Sequence, residues 1–292
     1  MKKKVLAMVS IWAIFLLTIT SAEAGHGHHK PKKVGILLVA FGSSEASAQI
    51  SFENIHKKVQ QKYPNVSIRW AYTSAIIRNK LAKQGKMLDS PEVALAKMHD
   101  EKFTHVAVQS LHTIAGEEYQ DLDRTVQAFK MMGAFEKILL GYPLLGTQKD
   151  LAQTVDAIIA TIPKERKTNE AVVLMGHGTP HPANAFYAAL MFQLQLKDPN
   201  IFVGTVEGYP DVDLIVDLLR KKKIKKAYLM PFMSVAGDHA KNDMAGHEDD
   251  SWTSILTKAG IQSTPILKGT AEYDSFIDIW VAHLDQIMRH FK

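Results

Sequence analysis

Continuous apolar runs that stop abruptly at glycine or a small polar residue constrain this chain most. They occur in 34-VGILLVAFGSSE-45, 104-THVAVQSLHTIAGEEY-119, 136-EKILLGYPLLG-146, 171-AVVLMGHGT-179 and 226-KAYLMPFMSVAGDH-239. Runs without polar alternation suit strands buried on both faces, as in parallel sheets. Between them lie stretches of helical spacing: 49–64, 91–103 opened by Pro91, 121–132, 184–195, 211–223 and 249–260. Further strands are predicted over 66–74, 201–210 and 261–269, and a last helix over 272–291. Strands alternating with helices predict βαβ units, hence an α/β fold with parallel sheets flanked by helices.

The second half repeats the first at the level of residues. The segment 106-VAVQSLHTIAGEE-118 lies over 227-AYLMPFMSVAGDH-239, 91-PEVAL-95 over 210-PDVDL-214, and 37-LLVAFGSS-44 over 173-VLMGHGTP-180. Three matches in order, at similar offsets, predict two similar α/β domains with a cleft between them. We place them at 33–162 and 168–292, with the polar stretch 161-TIPKERKTNE-170 as linker. At 292 residues the chain is long enough for two such domains.

The first residues have a different character. Lys2, Lys3 and Lys4 precede an apolar stretch from Val5 to Thr20, and Ala22-Glu23-Ala24 has the form of a cleavage site. Residues 1–24 read as a secretory signal peptide, which predicts export, for instance to a periplasm, and no membrane span after cleavage. Residues 25–32 form a tail in which His26, His28 and His29 are of metal-binding type. The chain has no cysteine, so no disulfide is available and any metal must be held by nitrogen and oxygen. Its net charge is +5, and removing Lys2, Lys3, Lys4 and Glu23 with the signal leaves +3. That mild excess suits an acidic small ligand. No long basic stripe with interleaved aromatics points to nucleic acid.

In open parallel sheets, ligands bind beyond the carboxyl ends of the strands. In the second half those positions hold His177, Glu207 and His239, each ending a different strand. Two imidazoles and a carboxylate are a plausible set of ligands for a divalent transition metal. An ordinary turn histidine, a rim carboxylate and a helix cap are the plain alternatives for the three. Gly176 and Gly178 are read as keeping the surroundings of His177 open. In the first half only His112 is comparable, either facing the cleft or serving structure. Asp238, Asp243, His247 and Glu248 read as loop and capping residues, with His247 alternatively a group that supports the ligands from behind.

The motifs 110-SLHTIAGEEY-119, 174-LMGHGTPHPAN-184, 203-VGTVEGYPD-211 and 229-LMPFMSVAGDHAKNDMAG-246 together resemble the anaerobic sirohydrochlorin cobalt chelatases, of the class II tetrapyrrole chelatases. The resemblance covers nearly all of the chain after residue 33. It implies a lyase that inserts Co²⁺, and in several members Fe²⁺, into the polycarboxylate tetrapyrrole sirohydrochlorin on a corrinoid or sirohaem route. It also implies His177 and His239 as paired active-site histidines and Glu207 as a further metal contact. The tetrapyrrole would need an apolar slot, for which Leu111, Phe232, Met233 and Val235 are expected, with His112 as a contact. Arg78 and Lys80 are rim cations for its carboxylates, or else ordinary solvated charges. Export departs from the family's cytoplasmic chemistry. It leaves an exported metal or tetrapyrrole carrier without turnover as the competing reading. Bound haem and homo-oligomerisation stay open at this level.

Overall fold

The structure is a computed structural model, and it describes residues 31–292. The expected signal peptide, its cleavage site and His26, His28 and His29 lie outside the described residues. Among the described residues no helix is long and apolar enough to cross a membrane.

Among the described residues, eight strands form two four-stranded sheets, and every pairing is parallel. The first holds β1 (Val34–Ala40), β2 (Ser67–Tyr72), β3 (His105–Ser110) and β4 (Lys137–Gly141), in the order β2-β1-β3-β4. The second holds β5 (Ala171–Gly176), β6 (Ile201–Thr205), β7 (Lys226–Pro231) and β8 (Gln262–Pro265), in the order β6-β5-β7-β8. The two orders are the same once the strands are matched in sequence, which is the expected duplication expressed as topology.

The helices are α1 (Gln49–Lys62), α2 (Ala75–Ala82), α3 (Pro91–Asp100), α4 (Glu117–Met131), α5 (Gln148–Thr161), α6 (Ala185–Lys197), α7 (Val212–Lys221), α8 (Trp252–Lys258) and α9 (Asp274–Arg289). Their starts follow capping chemistry: Ser74, Ser90, Thr147, Asp211 and Ser251 each accept a hydrogen bond from a backbone N–H of the first turn. The spacing argument does not assign α2 or α5. It starts α4 late, and Glu117 and Glu118 prove to be the acidic first turn of α4, where the helix dipole favours them.

Strand alternation distributes the core. In β1, Ile36, Leu38 and Ala40 face one way, with Val172 and Leu174 of β5, into a central core shared by both halves. Leu37 and Val39 face the opposite side and pack with α3 and α4, while Ala171, Val173 and Met175 pack with α7 and α8. Helices α1, α5, α6 and α9 contribute to the central cluster. Sequence order assigns α9 to the second half, but the helix packs on β3 and β4 of the first sheet and against α1 and α5. It buries Phe276, Ile277, Ile279, Trp280, Val281 and Leu284. A side chain as large as Trp280, 1% exposed, contributes about 2–3 kcal/mol by burial. Lys58 of α1 pairs with Asp274 and Asp278 of α9, which fastens the returning helix at its rim.

Candidate metal-insertion site

The carboxyl ends of the two sheets meet. Phe41, just past β1, lies against the ring of His177, just past β5, with centroids 5.8 Å apart. Glu45 of the first half forms an ion pair with Lys241 of the second. The methyl of Thr179 lies 3.6 Å from the position a Cβ on Gly116 would take.

At this junction His177, Glu207 and His239 each offer a ligand atom, and the three atoms lie within 4.8 Å of one another. Two ligands about 2.1 Å from one ion stand at most about 4.2 Å apart. A slight contraction of the group therefore completes a shared coordination sphere. The imidazoles of His177 and His239 are a third exposed, and Glu207 is open to solvent. Ions can therefore reach the site.

Local backbone chemistry explains why these residues converge. Val206 N–H donates to Gly176 C=O (3.1 Å) and Glu207 N–H to His177 C=O (2.7 Å), so backbone hydrogen bonds hold the β6 loop against the β5 loop past the strand ends. Asn184 staples the same two loops. Its Oδ1 accepts from Thr179 N–H at 3.1 Å, and its Nδ2 donates to Tyr209 C=O at 2.6 Å. The glycines beside His177 serve this packing and not a ligand. A Cβ on Gly176 would stand 2.4 Å from the ring of Tyr187, and one on Gly178, at φ +84°, 2.7 Å from the carbonyl carbon of Glu207. Burial pushes the Tyr187 phenol up to about 12, so it remains protonated beneath the loop.

The tautomers follow from the neighbours. His177 Nδ1 lies 3.1 Å from Gly178 C=O, which can only accept, and His239 Nδ1 lies on the carboxylate of Asp243. His177 Nδ1 also lies 3.8 Å from Glu207 Oε2. A proton on Nδ1 would satisfy these acceptors and leave Nε2 as the lone pair of each neutral ring.

His112 is not a member of this group. Ser110 Oγ lies 2.9 Å from its Nδ1 and Thr73 Oγ1 3.3 Å from its Nε2, so both ring nitrogens are engaged at the ends of β3 and β2. Burial depresses its pKa to about 4. Two expected slot residues are core instead: Phe232 is 1% exposed and sits edge-on to Tyr187 and Phe276, and Leu111 is equally buried. Their position after an apolar run reflects the shared core below the strand ends. Met233 and Val235 are half-buried, and the Met233 carbonyl accepts from Thr270 N–H at 2.8 Å. Arg78 donates to the carbonyls of Tyr72 and Thr73, which ties down the end of β2, while Lys80 is exposed. The spacing argument passes over Asn184 and Asp243 as site residues, although both stand inside the quoted motifs.

Comparison with known proteins fits this arrangement. Residues 34–289 match the cobalt chelatase (CbiK) family. The chain belongs to that family. The sirohydrochlorin cobaltochelatase CbiKC of Nitratidesulfovibrio vulgaris is 44% identical over 257 residues, 88% of this chain and 91% of the relative. The sirohydrochlorin cobaltochelatase of Salmonella typhimurium is 38% identical, covering 88% and 97%. Among solved structures, SirB from Bacillus subtilis with Fe³⁺ superposes with a TM-score of 0.58 at 14% identity, covering 87% of this chain and 95% of its own. CbiX, described as the terminal enzyme of sirohaem biosynthesis in denitrifying bacteria, gives 0.56 at 14% identity, covering 86% and 98%. At that identity the two structures speak for the fold. For this CbiK-family chain, the fold is thus the chelatase arrangement of two parallel sheets whose carboxyl ends meet at the histidine pair.

Proposed function

We propose that this chain is a sirohydrochlorin cobaltochelatase that inserts Co²⁺ into the tetrapyrrole at His177, Glu207 and His239, with release of two protons. The convergence of those three ligand atoms at the meeting of the two sheets carries the reading. Insertion requires a metal stripped of part of its water and a base for the pyrrole N–H protons. An imidazole in its neutral form can hold the ion, and a ring that releases the metal can then take a proton. Glu207 supplies the negative charge that lowers the cost of bringing a dication between the sheets.

A nitrogen and oxygen set of this kind also accommodates Fe²⁺, so metal choice follows supply and geometry. The tetrapyrrole enters over the open side of the trio, where Met233, Val235 and the Phe41 ring supply apolar surface. Release of the mature chain by cleavage after Ala24 is part of the proposal, and sequencing the amino terminus of protein from its host tests it. Recovery of Met1 or Lys2 would reject cleavage.

The activity test is time-resolved absorbance of the protein mixed with sirohydrochlorin and Co²⁺. Product should form faster than in buffer, and Glu207→Gln should weaken Co²⁺ binding more than tetrapyrrole binding. Binding of both partners with no acceleration would replace the enzyme by a carrier.

A further inference from the structure

We propose that Asp243 is a positioning residue for His239: its carboxylate holds the Nδ1 proton and so aims Nε2 at the incoming metal. The inference rests on the metal-site reading above. His239 directly precedes a π-helical turn, Ala240–Met244, and Asp243 follows it by four positions. In a helical turn of that register the two side chains stand one above the other, and Asp243 Oδ2 contacts His239 Nδ1.

The other polar side chains of the turn have their own partners. Asn242 Nδ2 donates to Asp238 Oδ1 at 3.0 Å, and Lys241 pairs with Glu45 across the junction. Asp243 is the acid committed to the imidazole. The turn beneath it is anchored: Ala240 and Met244 are fully buried, and Thr253 Oγ1 donates to Met244 C=O at 2.9 Å. Gly246 N–H donates to Asn242 C=O at 2.9 Å. The backbone is therefore held while the carboxylate orients the ring.

A carboxylate behind a ligating imidazole fixes its tautomer and raises its basicity toward the metal. It also supplies a second negative charge. Together with Glu207 it balances the dication, so neither acid alone has to offset the ion. His177 Nδ1 has the Gly178 carbonyl at 3.1 Å and, at 3.8 Å, Glu207 Oε2, which is itself one of the three candidate ligands. The two histidines thus differ in what stands behind the ring.

The test combines tautomer and affinity measurements on the full chain. Two-bond ¹H–¹⁵N correlation spectra of histidine-labelled protein should show His239 protonated at Nδ1 in the parent and redistributed in Asp243→Ala. Calorimetric titration with Co²⁺ alone should show a loss of roughly 10–100-fold for Asp243→Ala. Asp243→Asn keeps an acceptor oxygen of the same shape and should fall between. In steady-state insertion the KM for Co²⁺ should rise while that for sirohydrochlorin stays put. Parent Co²⁺ affinity and an unmoved His239 tautomer in both variants would overturn the role of Asp243. If His239→Ala also binds Co²⁺ as the parent does, the metal site itself is wrong and the positioning role falls with it. Should Asp243→Ala lose its cooperative thermal transition, the Asn variant decides.

Discussion

The imidazole rings of His177 and His239 stand edge to face, with centroids 4.7 Å apart, although 62 positions separate them in the chain; His177 directly follows β5, while His239 lies on a loop eight residues beyond the end of β7. A pair this close can act on one ion. Removing either ring should abolish most Co²⁺ insertion, and removing the second should cost little more, because residues of one unit lose function non-additively. Steady-state rates of His177→Ala, His239→Ala and the double variant, each shown to be folded, check this. Two single losses that multiply in the double variant would mean independent roles.

Gly178 offers a second handle on the same site, through backbone alone. Its φ of +84° is a region L side chains rarely adopt, and an added Cβ would run into the Glu207 backbone. Gly178→Ala should cost about 1–2 kcal/mol of stability from strain and push the Glu207 loop off His177. Co²⁺ affinity should then fall even though every ligand is still present. Thermal melts with and without Co²⁺ measure both effects. An alanine variant with parent affinity would show that the loop absorbs the methyl group without moving Glu207.

Much of this site was legible in the sequence, for a physical reason. A strand buried on both faces must be apolar throughout, so its end is marked by the first glycine or polar residue, and parallel strands gather such ends on one edge. That placed His177 and Glu207 together. His239 was expected at a strand end too, but it joins them from a loop eight residues beyond β7, because Phe232 and Ala236 extend the apolar run into the core past the strand. Helix α5 was harder to see: its Thr147 cap and Asp150 are a start signal, but it follows the β4 run so closely that the apolar spacing blurs. The docking of α9 was not readable at all, because an apolar stripe says that a face is buried and not against which sheet. Phe232 misled for a related reason. An apolar residue just past a strand looks the same whether it lines a slot or closes the core below it.

His112 sets a pH dependence of stability. Its folded pKa of about 4 lies below the ordinary histidine value of 6.5. Above pH 6.5 the ring is neutral in both states and contributes no slope. As pH falls from 6.5 through 4, the unfolded chain takes up a proton that the folded one refuses, so stability is lost across that window. The loss from this residue is at most about 3.5 kcal/mol, at about 1.4 kcal/mol per pKa unit. Urea unfolding at pH 7 and pH 4.5 should show a smaller acid penalty in His112→Gln, whose amide can still bond Ser110 and Thr73. Equal penalties in parent and variant would mean that His112 titrates normally.

A buried pair outside the metal trio predicts a stability effect without a metal effect. His283 of α9 places Nε2 2.9 Å from Oδ1 of Asp150 in α5, with both side chains nearly inaccessible. His283 Nε2 makes no hydrogen bond of its own, so the contact is a close approach of imidazole and carboxylate. His283 Nδ1 faces Tyr142 C=O at 3.1 Å, and Asp150 Oδ2 accepts from Thr147 Oγ1 at 2.8 Å. The pair thus joins the end of β4 and the start of α5 to the helix that returns from the second half. Asp150→Asn keeps the shape and removes the charge, leaving a buried imidazole nitrogen with a weaker partner. The expected cost is about 1–3 kcal/mol. The urea midpoint should drop with an unchanged slope, because the folded surface is the same. Co²⁺ affinity should hold, since the ligands sit on β5, β6 and β7 loops that α9 does not carry. An unchanged midpoint would show that the Asp150–His283 contact contributes nothing net, and that α9 is held by its apolar face alone.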